Sequence, residues 1–594
     1  MTGTRQRDGC TPLRDYALIG NKRTAALVAL DGAIDWLCSP GFAGPAAFAA
    51  LLDPRDGGRI ALRPVEPFEV ARAYVGDTNV LETTFTTDRG TVRVTDAMAW
   101  PSAHALAWNQ ILRRVDGIAG SVPMRWEVRP RFGYGARAGT AERRAGVPVI
   151  VHDREAIAVE AFGAGEADLA RDAVAGAFTV GAGEVALLAV SMFRDEPLTF
   201  SAREDLLSRL EGTADRWRKR MQRCSYDGPW AEAVRRSALT LDLLVDASTG
   251  AMVAAPTMAL PERIGGPRNY DYRYAWVRDG NLTLEAMQRL RFAEEVHLSL
   301  SWMLRTVRTT APRLQPMYAL DGSTEIPDEE LPLPGYLDSR PVLLGNGAAD
   351  QLQLGNFGDL LDMTLNYCRG GNAIGRAEGS MIAGIADRVC AIWRDEDSGI
   401  WELPRLRGYT QSKLACWLAL EHAADLADLG QLPRDGAARW RREAGAVARH
   451  VRERCWSERA DAYVRADDGA DELDAAVLLA GRGSFFGDEP ARWNGTIDAI
   501  RARLGAGGPL VYRCSGMEQE EGAFVACSFW LAESLARVGR RDEAAEVMDG
   551  MVARANDVGL FAEEIDPKTG DFLGNMPLAL SHLSLVLAAD ALGD

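Results

Sequence analysis

Several chemistries are excluded by what the chain has little of. Six histidines are scattered over 594 residues with no HxxxH spacing, and nine cysteines include no CxxC pair. Neither pattern supplies a zinc site, and an odd number of cysteines, several inside apolar runs as at Cys416 and Cys527, reads as reduced core thiol and not as a disulfide framework. No uninterrupted apolar span is long enough to cross a bilayer. The basic opening segment Met1–Tyr16 is not followed by the apolar stretch of a secretory signal, so the cytoplasm is the expected location. Positive charge is also in deficit: 67 Lys and Arg against 84 Asp and Glu leave a net charge of −17. Nucleic acid and anionic membrane are repelled by such a surface, which leaves a neutral or cationic small molecule as the expected partner.

The chain is 47% hydrophobic and 25% charged, and at this length it needs at least two cores. Its first third reads as strand. Val80–Asp96 is a hairpin around Asp88-Arg89-Gly90, and Ala26–Trp36 is another with Asp31-Gly32 at its turn. Further strands are expected at Gln110–Val115, Val147–His152, Ala156–Phe162 and Val185–Met192. Many short strands with turn punctuation imply an antiparallel β-sandwich, placed at residues 12–200.

The period then changes. Ser201–Cys224 is an amphipathic helix, and residues 201–228 are read as a helical linker. From there to the end, at residues 229–594, roughly twelve helical segments alternate. Those opening near Asp279, Asn346, Gln411, Leu473, Glu521 and Pro577 are mainly apolar on all sides; those between them carry one charged face. All-round apolar helices are buried and one-sided ones lie outside, which describes an (α/α)6 barrel. In such a barrel the loops entering the inner helices gather at one rim, and the polar motifs of this half of the chain all fall in those loops.

One of them is Gly265–Gly280, GGPRNYDYRYAWVRDG, where seven aromatic or arginine side chains surround Asp271 and Asp279. Taken alone it is a buried aromatic turn at a helix start, with Arg278 and Asp279 a local capping pair. At a shared rim it becomes the floor of a sugar site. Arg278 and Asp279 can bond sugar hydroxyls, while Tyr272, Trp276 and Trp401 can cover the ring faces. Glycosidic cleavage needs two carboxyls. Glu402, between Trp401 and Leu403, is a lone carboxyl in apolar company, as a proton donor with a raised pKa requires; Glu563 or Glu564 can stay ionised as base. Each is otherwise a solvated loop glutamate. Arg340, Leu403, Glu521 and Glu564 are expected at the rim or behind the site. Asp467-Asp468-Gly469-Ala470-Asp471 has the spacing of a magnesium-diphosphate motif, but its glycine and polar surroundings read as a solvated loop, with one aspartate at the outer rim. No metal or organic cofactor is expected.

These blocks, with SRPVLLGNGAADQLQLGNFGDLLD, SGIWEL, EEGAFVACSFWLAESLARVGR and GLFAEEIDPKTGDFLGNMPLALSHL, resemble glycoside hydrolase family 15, which holds glucoamylases, glucodextranases and bacterial and archaeal trehalases. DYALIGNKRTAALVALDGAIDWLCSPGF resembles the amino-terminal β-sandwich of its bacterial members. The resemblance implies that Trp276, Arg278 and Asp279 with Tyr272 bind sugar, that Glu402 is the general acid and Glu563 the base, and that cleavage is exo-acting and inverting. Starch-acting relatives often carry a second glutamate after the acid; here that place is Leu403, which disfavours maltose-type linkages. The expected activity is an inverting α-glucoside hydrolase releasing glucose from isomaltose-type or maltooligosaccharide substrates. The alternative is a trehalase and, in a different class, a silent sugar-binding protein on the same fold.

Overall fold

The computed structural model describes residues 5, 9–101 and 109–593, so residues 1–4 and 6–8 of the basic opening segment lie outside the described residues. The amino-terminal part is two antiparallel layers sharing one long strand, Asn109–Arg129. Its first half pairs with Gly90–Met98 and Val185–Arg194, and its second half with Arg59–Pro64 and Val174–Gly181. Both expected hairpins form, with Thr87 opposite Gly90 and Leu27 opposite Trp36. The strand expected to end at Val115 instead runs through Gly117, Gly120 and Pro123. These residues disguise its continuity while giving the bend that carries it from one layer to the other.

Helix α1 (Arg203–Met221) follows, burying Leu206, Leu210, Ala214, Trp217 and Met221 at helical spacing. The remaining helices are α2 (Ala231–Leu244), α3 (Val277–Arg289), α4 (Ala293–Val307), α5 (Gly355–Arg369), α6 (Arg376–Ile392), α7 (Thr410–Asp428), α8 (Ala437–Arg454), α9 (Pro490–Arg503), α10 (Val525–Arg537), α11 (Arg541–Val552) and α12 (Ala579–Gly593). A ring closes through α3, α5, α7, the 3₁₀ segment Ala475–Arg482, α10 and α12, with α12 returning to α3. The other six helices from α2 onward pack outside it, so the architecture is an (α/α)6 barrel behind a β-sandwich.

Two features of the ring differ from the sequence reading. Its fourth inner member is one short 3₁₀ segment, because Gly481 and Gly483 end the run that begins after Leu473. The inner helices are also not apolar throughout: Arg482 donates to Glu533 on α10 (2.6 Å) and approaches Glu285 on α3 (3.5 Å). The 3₁₀ segment and α3 are opposite members of the ring, so this ion pair crosses the barrel axis.

The sandwich braces the barrel at its loop end. Trp36 Nε1 donates to Pro256 O (2.8 Å), and Arg273 Nη1 to Gly44 O (2.8 Å). The buried Arg273 guanidinium also grips Asp271 through Nε (2.9 Å) and Nη2 (2.7 Å), and Asp271 Oδ2 accepts the Gly345 N–H (3.2 Å). One buried ion pair thus ties the sandwich, the Gly265–Gly280 stretch and the loop before α5 together. No helix among the described residues is long and apolar enough to cross a membrane.

Candidate active site

A cavity of about 350 Å³ opens at the loop end of the ring, a size typical of small-molecule sites. Its lining comes from the loops before α3, α5, α7, α10 and α12 and includes Tyr272, Trp276, Arg278, Asp279, Trp401, Glu402 and Glu563. The expected floor residues and both candidate carboxyls therefore share one chamber. No lining residue belongs to the sandwich, whose contribution is to hold the lining loops from behind.

Trp276 is the last extended residue before α3 and caps it without a side-chain bond. Asp279 does not cap the helix either: its Oδ2 accepts from Arg278 Nε (3.0 Å), and its buried Oδ1 has no partner among the described residues. A buried carboxylate oxygen left unpaired is costly, and a ligand hydroxyl would satisfy it. Arg278 is fixed at its other edge by Ile400 O (2.8 Å). This end of the chamber is a pre-set donor and acceptor pair in a buried position.

Glu402 closes the turn that begins at Gly399, with φ of +58°, a left-handed conformation that non-glycine residues seldom adopt. Its Oε1 accepts from Trp276 Nε1 (2.7 Å), while Oε2 carries no bond among the described residues. Burial raises its pKa, Arg278 and the Trp276 bond oppose that rise, and Asp279 adds to it. Glu563 lies beside the short strand Glu564–Ile565. Its Oε1 accepts from Tyr272 OH (2.6 Å) and its Oε2 from the Asn575 N–H (3.2 Å). Burial raises its pKa as well and the Glu262 carboxylate adds to the rise, against Tyr272, Arg513 and Asn575. Gly574, at φ +70°, makes room for this carboxylate: a Cβ there would lie 2.3 Å from Glu563 Oε2.

Trp401 lines the wall with its Nε1 held by Asp474 Oδ1 (2.8 Å) and its ring against Phe524 and Trp530. Glu262 in the lining and Glu521 and Glu564 behind it bring carboxylate oxygens within 4.8 Å of one another, the spacing of a metal site. Guanidinium groups take the position a cation would: Arg513 pairs with all three, and Arg268 with Glu262 and Glu521. Glu521 and Glu564 are thus buried behind the chamber and do not line it.

Two residues expected at the rim or behind the site do not line the chamber. Leu403 packs into the hydrophobic core, its N–H bonded to Ser398 O, because the left-handed Glu402 turns the next side chain away from the chamber. Arg340 is exposed and outside the lining, although its neighbour Ser339 anchors the Gly265 N–H (2.9 Å). The Asp467–Asp471 loop does not reach the chamber either. Asp467 bonds His450 (2.7 Å), Asp468 pairs with Arg407 and Asp471 with Arg459, so its aspartates are spent on local ion pairs.

Sequence reasoning missed Glu262, Arg268, Tyr270, Asp328, Gln351 and Arg513 among the lining residues. Arg268 and Tyr270 lie within the stretch already singled out, so its density was a usable signal for them. Nothing local distinguishes Arg513 or Asp328 from surface charges.

Over residues 228–590 the chain matches the family model described as glycosyl hydrolases family 15, and over residues 6–189 the model described as trehalase-like, N-terminal. The chain belongs to glycosyl hydrolase family 15. It is thus a glycoside hydrolase, with two candidate catalytic carboxyls facing one chamber. Its relatives include a trehalase of Thermoplasma volcanium, 31% identical over 98% of this chain and 94% of that one. Another is a trehalase of Mycolicibacterium smegmatis, 31% identical over 99% of this chain and 92% of that one. Among solved structures, a bacterial glucoamylase complexed with acarbose superposes with a TM-score of 0.75 over 100% of this chain and 96% of its own; at 14% identity it shows the shared fold.

Proposed function

We propose that this glycoside hydrolase cleaves α,α-trehalose with inversion, Glu402 acting as general acid and Glu563 as general base. The observation that carries the reading is the unequal bonding of two buried carboxyls in one chamber. Both are pushed up in pKa, so pKa alone does not assign them. Glu563 has a donor on each oxygen, Tyr272 OH and Asn575 N–H, an arrangement that favours the carboxylate. Glu402 has one bonded oxygen and a bare Oε2, as a proton donor needs. Relatives aligned over nearly the whole chain are named trehalases, which moves trehalose ahead of the isomaltose-type and maltooligosaccharide substrates first expected.

In the proposed reaction one glucose unit lies against Arg278, Asp279 and Trp276. Glu402 Oε2 gives its proton to the glycosidic oxygen as the C1–O bond breaks. Glu563 takes a proton from the water that attacks C1 from the opposite face. The attacked unit leaves as β-glucose and the other as α-glucose, and proton exchange with solvent resets the pair. Arg278 beside the developing oxocarbenium is paired with Asp279, so the floor adds little net positive charge there.

The same reading divides the chain into a sandwich at 12–200, a linker at 201–228 and a catalytic barrel at 229–594. The last sandwich strand ending at Arg194 and the first barrel helix starting at Ala231 support it. The substrate assignment is tested by incubating the protein with trehalose, maltose and isomaltose and measuring glucose. Trehalose is expected to give the highest kcat/KM; turnover of only maltose or isomaltose would overturn it.

A further inference from the structure

The chamber lining holds two sets of charged residues, and the reaction proposed above uses only one. Arg278 and Asp279 form the first. The second includes Glu262, Arg268 and Arg513, with Tyr270. Arg268 Nη1 donates to Glu262 Oε2 (3.1 Å) and Glu521 Oε2 (2.9 Å). Among the described residues its Nε and Nη2 groups donate to nothing, and its side chain is 25% exposed, against 3% for Glu262 and none for Glu521. A guanidinium locked along one edge by buried carboxylates and open along the other is a preorganised donor for a neutral polyol. Its anchors do not move with it, because Arg513, stacked over Trp401 (5.5 Å) and Phe524 (5.3 Å), also pairs with Glu262 and Glu521.

Both carboxyls feel both sets: Arg278, Asp279 and Arg513 act on Glu402, and Glu262 and Arg513 on Glu563. With one sugar against Arg278 and Asp279, the open edge of the more exposed Arg268 is a charged donor in the same lining, which the first sugar leaves for the leaving group. Leu403, the residue after Glu402, is in the core and unable to take that part.

We propose that Arg268, held by Glu262 and Glu521, clamps the second sugar and so selects substrates whose leaving group is itself a pyranose. The inference rests on the substrate reading above for the identity of that sugar. It does not rest on it for the existence of the clamp.

The test compares a disaccharide with α-D-glucosyl fluoride, whose leaving group has no hydroxyls, in wild type, Arg268→Ala and Arg268→Lys. One lost hydrogen bond from a charged donor corresponds to about a 10- to 100-fold effect. The ratio of kcat/KM for the disaccharide to that for the fluoride is expected to fall by about that factor in Arg268→Ala. It is expected to stay low in Arg268→Lys, which keeps the charge and loses the planar fork. Any shift that the lost charge causes in Glu563 affects both substrates and cancels in the ratio. An unchanged ratio in either variant would overturn the clamp, as would a wild type that cleaves the fluoride and no disaccharide. A wild type that cleaves another α-glucosyl disaccharide but not trehalose would overturn the trehalose reading alone, and the ratio is then measured on that disaccharide.

Discussion

Replacing Tyr272 with phenylalanine removes a single oxygen from the chamber wall and with it the 2.6 Å bond that its hydroxyl donates to Glu563 Oε1. Burial and the Glu563 carboxylate hold the Tyr272 hydroxyl well above its ordinary pKa, so it stays a donor throughout the working pH range. A hydrogen bond to a charged acceptor is worth about 1.5–3 kcal/mol, and about 1.4 kcal/mol corresponds to one pKa unit. The bond favours the ionised carboxylate; without it Glu563 keeps its proton to higher pH, by about 1–2 units. A general base works only when ionised, so the acid limb of kcat/KM moves up by the same interval. Below both limbs the variant is slower by about 10- to 100-fold, and the two enzymes converge at higher pH until Glu402 ionises. The remaining ring keeps its edge contact with Trp276, centroids 5.4 Å apart, so the wall stays in place. The assay is kcat/KM on trehalose against pH. An acid limb that stays put or moves down would refute the assignment of Glu563 as base.

Other outcomes follow from the same geometry. Glu402→Gln and Glu563→Gln are each expected to lower kcat by at least about 10³-fold with a wild-type melting curve; near-normal turnover in either would remove it from the mechanism. Gly574→Ala places a methyl group against Glu563 Oε2 at a left-handed position and is expected to lower kcat/KM by about 10²-fold, read by steady-state kinetics; wild-type activity would show that Glu563 has slack. Arg278→Ala should weaken hydrolysis of trehalose and α-glucosyl fluoride alike, since in the proposed reaction it binds the ring common to both, and a loss confined to one would place it elsewhere.

The layers of the fold differ in how plainly the chain declares them. Hairpins announced by Asp88-Arg89-Gly90 and Asp31-Gly32 form where the turn residues put them, because the signal is local. The strand Asn109–Arg129 was cut short by glycines and a proline that bend it without ending it. Helix α8 is legible because Trp440, Ala444, Val447, Ala448 and Val451 recur on one face. The inner ring was legible from all-round apolar segments, but Glu285, Arg482 and Glu533 meet only across the closed barrel, a distance that no window of sequence spans.

The site divides in the same way. Trp276, Arg278, Asp279, Glu402 and Glu563 stand out as dense or isolated polar groups in apolar loops, and the structure brings them to one chamber. Leu403 misled because adjacency to Glu402 implied a shared surface, whereas the left-handed backbone at Glu402 turns its neighbour inward. The far wall, in which Arg268 reaches Glu521 across 253 residues of chain, depends on tertiary pairing.

The most direct measurement is the anomeric form of the glucose first released from trehalose, followed by proton NMR before mutarotation. Inversion at the attacked carbon predicts β- and α-glucose in equal amounts at the earliest times. Release of α-glucose alone, or no glucose at all, would contradict the account.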